Sequence, residues 1–117
     1  MALVLCTGID PGLIETRKLI LKQAGHTVVT ATDPQEIEVA CQQNLFDVAV
    51  IGQTASANVK KAIASLIRHQ CPSAKILELY PPYLGKALED ADSWLEVPAD
   101  IPVQLARSVS ELARRSA

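Results

Sequence analysis

Five short apolar runs alternate with longer stretches of helical period along the chain. That alternation is typical of a parallel β-sheet covered by helices on both faces, because parallel strands need a crossover between them. The predicted strands are residues 3–6, 27–31, 47–51, 75–79 and 94–97. Right-handed crossovers then predict a three-layer α/β/α sandwich of the flavodoxin-like type, with strand order 2-1-3-4-5. The more polar second and fifth strands are the expected edges of the sheet.

Five helices are predicted between and after these strands. The first begins at Pro11 and ends before Gly25, and the second begins after Asp33, which is a suitable N-cap for Pro34. The inward residues expected in the second helix are Ile37, Ala40, Cys41 and Leu45. The sequence thus predicts where the first two helices start and which face of the second is buried.

The other three helices are predicted from apolar spacing alone. The inward residues of the third are Val59, Ala62, Ile63, Leu66 and Ile67, with Lys60 and Lys61 on other faces. A short fourth helix is predicted from Leu84, Ala87, Leu88 and Ala91, and a fifth starts near Asp100 with Leu105, Val109 and Leu112 inward. No linker or internal repeat divides the chain, so residues 1–117 are predicted to form a single domain.

Composition excludes several classes of function. Eleven basic and thirteen acidic residues give a net charge of −2, which provides no broad basic surface for nucleic acid or anionic lipid. No apolar run approaches the roughly 20 residues of a membrane helix, so a soluble chain is expected. Three scattered cysteines, Cys6, Cys41 and Cys71, form neither a disulfide framework nor a zinc motif. A reducing, cytoplasmic location is the expectation.

The chain resembles the receiver domain of bacterial response regulators (CheY-like) over nearly its whole length. The resemblance rests on the first strand through Asp10-Pro11, on residues 23–33, on the run from Phe46 to Ile51, and on Trp94 to Pro98. Receivers accept a phosphoryl group on an aspartate after the third strand. They use Mg²⁺ held by acidic residues after the first strand, a hydroxyl after the fourth and a lysine after the fifth. Pro98 matches the family's proline after that lysine, where a cis peptide is expected.

The sequence departs from the receiver pattern at nearly every chemical position. Gly52 stands at the position of the phosphoacceptor aspartate. Gly8 and Ile9 stand at the positions of the acidic pair, and only the neighbouring Asp10 is retained. Leu79 or Tyr80 replaces the hydroxyl residue, and Val97 replaces the lysine. The resemblance therefore implies a pseudo-receiver with a degenerate phosphorylation pocket, without aspartyl phosphorylation, metal or cofactor. The loss of charge there favours a neutral ligand over an anion.

Two aromatic residues fall on the side that receivers use for partner contacts, formed by the fourth helix, fifth strand and fifth helix. Trp94 matches the position of the family's aromatic switch residue, and Tyr83 lies nearby in sequence. The resemblance implies a protein partner or self-association through this face, within two-component signalling. Simple covering of the sheet edge by Trp94 is the other interpretation.

The alternative function is an enzyme that transfers phosphoryl groups through Cys6. The sequence Cys6-Thr7-Gly8 follows a strand and precedes a helix, and it is similar to the phosphocysteine loop of the sugar phosphotransferase IIB proteins. That alternative predicts an exposed thiol of low pKa, whereas a small buried cysteine predicts an inert one. Asp33 and Asp47 are expected to be structural, and His26 and His69 to be solvated or to lie at helix ends.

Overall fold

The computed structural model describes residues 2–97 and 101–116, and the predictions for Pro98 and Asp100 lie outside them. The elements in chain order are β1 (Leu3–Thr7), α1 (Pro11–Gln23), β2 (Thr27–Ala31), α2 (Pro34–Gln43), β3 (Val48–Ile51), α3 (Ala57–Gln70), β4 (Lys75–Tyr80), β5 (Ser93–Glu96) and α4 (Ile101–Ser116). All strand pairs are parallel, and their order is β2-β1-β3-β4-β5. The predicted flavodoxin-like sandwich, its strand order and both edge strands are confirmed.

Helices cover the sheet on both faces, and each face has its own apolar core. One core joins α2 and α3 to the sheet through Leu5, Ile37, Phe46, Ile51 and Ile67. The other joins α1 and α4 to it through Val4, Leu21, Val50, Leu105 and Leu112. Because side chains alternate along each strand, neighbouring residues of β1, β3 and β4 serve opposite cores. This two-sided burial explains why the central strands are continuous apolar runs.

The predicted helix between the fourth and fifth strands is absent. Residues 81–92 form turns instead, and the turn at Gly85 has a φ of 72°, which a helix does not allow. The Glu78 carboxylate accepts the backbone N–H groups of Ala87 and Leu88, so a side chain binds donors that a helix would direct to its own carbonyls. The structure thus has four helices in its described residues, where five were predicted.

Three predicted inward positions are also wrong. Leu45 is exposed because α2 already ends at Gln43 and the chain has left the helical path. In α3, Lys60 is buried although it was expected on an outer face, whereas Val59 and Ala62, which were expected inward, are exposed. The inward stripe of α3 is therefore rotated by one residue at its start.

The expectation of unpaired cysteines is wrong for two of the three. Cys41 in α2 and Cys71 at the end of α3 form a disulfide, with their Cα atoms 5.4 Å apart. Both residues are buried between these adjacent helices, and Cys6 is the free thiol. Disulfides persist in oxidising compartments, so the cysteines no longer support the prediction of a reducing one. None of the helices in the described ranges is long and apolar enough to cross a membrane.

His26 is buried rather than solvated. Its Nδ1 accepts the backbone N–H of Ala2 at 3.1 Å, and its Nε2 lies 3.1 Å from the Ser110 hydroxyl. The ring thereby joins the start of β1 to α4 as a neutral tautomer with its proton on Nε2. Burial lowers the pKa of His26 from its ordinary 6.5. A proton on Nδ1 would also face the N–H of Ala2.

This environment predicts an acid-sensitive fold. Well above pH 6.5 the ring is neutral in both folded and unfolded chains. As the pH falls toward and through that value, the unfolded chain takes up a proton that the folded chain resists, because the pKa of the folded ring is lower. We therefore expect the free energy of unfolding, measured in urea, to fall between about pH 7.5 and pH 5.5. The decline should be shallower in His26→Gln and unchanged in His69→Gln, which alters an exposed histidine. Equal declines in all three chains would contradict the assignment.

Candidate functional site

The carboxyl ends of β1 and β3 lie side by side and bring Gly8 and Gly52 together. The Gly52 N–H donates to the Thr7 carbonyl at 3.1 Å, and a Cβ placed on Gly8 would lie 3.7 Å from the Cα of Gly52. Gly8 has a φ of 156°, a conformation that side chains disfavour. Two of the residues predicted for the pocket are therefore neighbours at this edge of the sheet.

Ile9 and Asp10 follow directly but take different roles. The side chain of Ile9 is 54% exposed. Asp10 is the N-cap of α1, and its Oδ1 accepts the N–H groups of Gly12 at 3.0 Å and Leu13 at 3.3 Å. The carboxylate thus satisfies the first turn of the helix, which stabilises the helix start.

Leu79 and Val97 lie at the ends of β4 and β5, and both belong to the apolar core beneath α1 and α4. The Val97 N–H donates to the Tyr80 carbonyl at 2.9 Å, which continues the pairing of the two strands. Neither side chain carries a polar group toward Gly52. The six predicted pocket residues therefore supply one carboxylate, and that carboxylate is engaged as a helix cap.

Arg17 is the residue at this edge that sequence reasoning missed. Its side chain is 4% exposed, and its Nη1 lies 3.0 Å from the position that a Cβ on Gly52 would take. Its Nη2 donates to the side-chain Oε1 of Gln53. Burial lowers the pKa of Arg17, while the nearby Cys6 and Asp10 raise it. Arg17 lies three residues after Ile14 and four before Leu21, so its position on the inward face was a usable signal.

Gly8 and Ile9 also border a groove on the other side of the sheet edge. The groove has a volume of about 530 Å³ and runs between the start of α2 and the first turns of α3. Its lining is mainly apolar and includes Ile37, Val59 and Ile63. The carboxyl ends of β1 and β3 therefore lie between an apolar groove on one side and the buried guanidinium of Arg17 on the other.

The pocket does not fit a divalent metal. Hard cations such as Mg²⁺ need several oxygen ligands in a small space. Gly8, Ile9 and Gly52 offer no side-chain oxygen, and a guanidinium lies against Gly52. Within residues 2–97 and 101–116, no three His, Cys, Asp or Glu side chains are grouped closely enough to hold a metal ion.

Cys6 lies within β1, one residue before its end, and is buried rather than exposed. Burial raises the pKa of its thiol from an ordinary 9.0 to about 12, although the charge of Arg17 acts in the opposite direction. A thiolate is the nucleophilic form of cysteine. The structure therefore does not support the phosphocysteine alternative.

We expect native Cys6 to resist thiol reagents. A pKa of about 12 instead of 9.0 lowers the thiolate fraction at neutral pH about a thousandfold, and burial excludes the reagent as well. Labelling with iodoacetamide, followed by intact mass, should modify Cys6 in urea but not in buffer. Rapid labelling of the native chain that Cys6→Ser abolishes would contradict this and revive the enzyme alternative.

A buried ion pair joins α3 to β4 beside the same edge. The Lys60 Nζ donates to the Glu78 carboxylate and to the Leu79 carbonyl, both at 2.8 Å. The two side chains are 3% and 0% exposed. Glu78 also fixes the segment after β4 through the N–H groups of Ala87 and Leu88, at 2.8 and 2.9 Å. One cluster thus connects α3, β4 and the turns that replace the predicted helix.

Trp94 is held inside this arrangement instead of projecting from it. Its ring nitrogen donates to the Leu88 carbonyl at 2.8 Å, and its ring packs against the core beneath α2 and α3. The ammonium of Lys86 lies 4.7 Å from the centre of its ring. Tyr83, by contrast, is 84% exposed, and Leu84 beside it is largely exposed too. The two aromatic residues predicted at one interface therefore differ in their freedom to contact a partner.

Comparisons with known proteins support the fold alone. The chain matches no family model, and no curated protein matches its sequence. The solved receiver domain of the Francisella response regulator 1452 matches with a TM-score of 0.81 and 20% identity, and 100% of each chain is covered. CheY4, a chemotaxis protein of Vibrio cholerae, matches with a TM-score of 0.78 and 23% identity, with 96% of this chain and 98% of that chain covered.

A longer protein matches over one part only. NtrX from Brucella abortus, solved in complex with ADP, matches with a TM-score of 0.74 and 18% identity. The match covers 97% of this chain and 27% of that chain, so the present chain spans about a quarter of NtrX. At these identities, the likeness shows that the chain has the receiver fold.

Proposed function

We propose that this chain is a receiver-like signalling domain that acts through protein contacts and without aspartyl phosphorylation. The observation that carries the proposal is the edge of the sheet at Gly52. On the alignment predicted from sequence, Gly52 replaces the phosphoacceptor, and the Nη1 of Arg17 lies 3.0 Å from the point where an aspartate side chain would begin. An aspartyl phosphate needs a carboxylate nucleophile and oxygen ligands for Mg²⁺, and Gly8, Ile9 and Gly52 supply neither.

The proposal extends to the absence of catalysis. A buried Cys6 with a raised pKa does not provide a nucleophile, and the six pocket residues provide no general acid or base besides the engaged Asp10. The domain is therefore proposed as a binding module of two-component-type signalling rather than as an enzyme. A cytoplasmic location goes with that role, and there the Cys41–Cys71 pair would be kept reduced.

The test is an intact-mass spectrum after incubation with acetyl phosphate and Mg²⁺. We expect the mass to stay unchanged, with a receiver domain that keeps the phosphoacceptor aspartate treated in parallel as a control for the reagents. A phosphoryl adduct that disappears in Cys6→Ser would support the enzyme alternative. An adduct that persists in that variant would show that another residue is the phosphoacceptor, and the proposal would fail.

The partner surface that we propose is the segment around Tyr83 and Leu84, after β4. The turn that carries them is closed by the N–H groups of Leu84 and Gly85, which donate to the Pro81 carbonyl at 3.1 and 3.0 Å. The chain just beyond it is held by Glu78, so the two exposed side chains are presented on an ordered backbone. Ordered aromatic side chains contribute strongly to protein interfaces because little entropy is lost on binding. We propose Tyr83 as the contact residue and Trp94 as its support.

Sedimentation velocity distinguishes self-association from binding of another protein. If two copies associate through this surface, the Tyr83→Ser/Leu84→Ser chain should sediment more slowly than wild type at equal concentration. If the partner is a different protein, both chains sediment alike, and a photo-crosslinker at position 83 captures the partner in cells. A crosslinker at the exposed Glu38 of α2 is the matched control. Equal capture from both positions would refute the proposed surface.

A further inference from the structure

Burial of the Arg17 guanidinium opposes folding, because the charge is removed from water. Removing a cation from water costs several kcal/mol unless hydrogen bonds or an opposite charge compensate. In the part of the chain that the structure describes, the ion pairs are Lys60–Glu78 and Arg68–Asp90, so Arg17 has no carboxylate within ion-pair distance. Its hydrogen-bond partner is the neutral side chain of Gln53.

The surroundings of Gly52 show why this position has no side chain. Its φ is not in the left-handed region, so the backbone itself would accept any residue. What a side chain would meet is Arg17, with Nη1 at 3.0 Å from a Cβ, and the Thr7 carbonyl at 3.3 Å. The space beside Gly52 is thus filled by a cation carried on α1.

Two differences from the receiver pattern are therefore coupled. A carboxylate at position 52 and a metal beside it would place a negative and a doubly positive charge at this edge. Glycine at 52 removes the negative charge, and the guanidinium supplies a positive one. Asp10 lies close enough to Arg17 to favour the charged form of the guanidinium. The Oδ1 of Asp10, however, accepts a hydrogen bond from the Gly12 N–H at the start of α1.

We infer that Arg17 is the resident cation of this edge, taking the place of a divalent metal and tying the β3–α3 loop to α1 through Gln53. The inference rests on the alignment used for the proposed function. In this arrangement the loop after β3 is positioned by a covalently attached charge, which neither a chelator nor a phosphatase can remove. The edge is then held in one state, whatever the supply of Mg²⁺ or phosphoryl donor.

The test reverses a charge preference. Gly52→Asp and its neutral isostere Gly52→Asn are each made in the wild-type chain and in Arg17→Met, which keeps an unbranched side chain but lacks the guanidinium and its charge. In buffer with EDTA, Gly52→Asp should melt several degrees above Gly52→Asn when Arg17 is present, because the new carboxylate pairs with the guanidinium. In the Arg17→Met background the order should reverse, because the carboxylate is then buried alone. The same order in both backgrounds would overturn the inference.

The second readout is the response of the melting temperature to millimolar Mg²⁺. If Arg17 had a structural role only, its replacement would not change this response. The melting temperatures of wild type and Gly52→Asp should not respond, since the guanidinium holds the cation position. The Arg17→Met/Gly52→Asp chain should melt higher with Mg²⁺ than with EDTA. A response in all these chains, or in none, would overturn the inference. Neither readout uses a phosphoryl donor, so a phosphorylated wild type would refute the proposed function and leave this result to stand separately.

Discussion

Replacing Lys60 with methionine should lower the free energy of unfolding by about 3–5 kcal/mol, as measured by urea denaturation. The ammonium is the cation that compensates the buried Glu78 carboxylate, at 2.8 Å, and it also binds the Leu79 carbonyl at 2.8 Å. Methionine fills the space but leaves the carboxylate without a counter-charge. Because domains of this size are stable by only about 5–15 kcal/mol, the loss should be visible as partial unfolding at moderate temperature.

The neighbouring lysine provides the matched control. Lys61 is exposed one position further along α3, so Lys61→Met should change the stability by no more than about 0.5 kcal/mol. The double variant Lys60→Met/Glu78→Gln should lose less than the sum of the two single variants, because neither charge is then left alone. Additive losses would show that the two side chains do not act as a pair.

Breaking the Cys41–Cys71 disulfide should cost about 3–4 kcal/mol. The bond closes a segment with a sequence separation of 30, and closure of a loop that long removes this much entropy from the unfolded chain. With a reductant, we expect the melting temperature of wild type to be lower by at least about 10 °C than without it, given the usual shift of melting temperature per kcal/mol of stability. The stabilisation matters because α2 and α3 together form one face of the sandwich.

The control for this prediction is the chain that cannot form the bond. Cys41→Ala/Cys71→Ala should melt at the same temperature with and without reductant. Counting thiols in urea should give one for protein kept oxidised and three after reduction, from the three cysteines of the sequence. A wild type indifferent to reductant would mean that the pair does not form or does not stabilise. The thiol count of protein freshly taken from cells also tests the proposed cytoplasmic location.

The fold could be predicted because its signals are local and repeated. Runs such as Val48 to Ile51 identify strands that are buried on both faces, and Asp33 before Pro34 identifies a helix start. Given strands and helices in strict alternation, the handedness of the crossovers leaves few topologies. The missing fourth helix shows the limit of prediction from apolar spacing. The spacing of Leu84, Leu88 and Ala91 is helical, but the backbone N–H of Leu88 donates to the Glu78 carboxylate and not to a helix carbonyl.

The candidate site was only partly predictable, because its charged groups are paired across the fold. Glu78 lies within the apolar run of β4, a position that favours burial, but the sequence does not identify the cation that compensates it. Lys60 lies three residues before Ile63 and seven before Ile67, a spacing that places it inward. Periodicity gives the face on which a residue lies; it does not give the partner that it meets from another element. Arg17 beside Gly52 was missed for the same reason.

The position of α4 has a consequence for how the protein is made. The core beneath α1 is completed by three residues of α4: Leu105, Val109 and Leu112. Val4 and Cys6 of β1 belong to the same core, so they become fully covered only when α4 packs against the sheet. A ribosome releases a chain from its N-terminus onward, and α2 and α3 can therefore cover their face before α4 has emerged. The opposite face stays apolar and open during that interval. Chains that terminate prematurely before residue 101 would keep it open, which makes them substrates for chaperones and proteases.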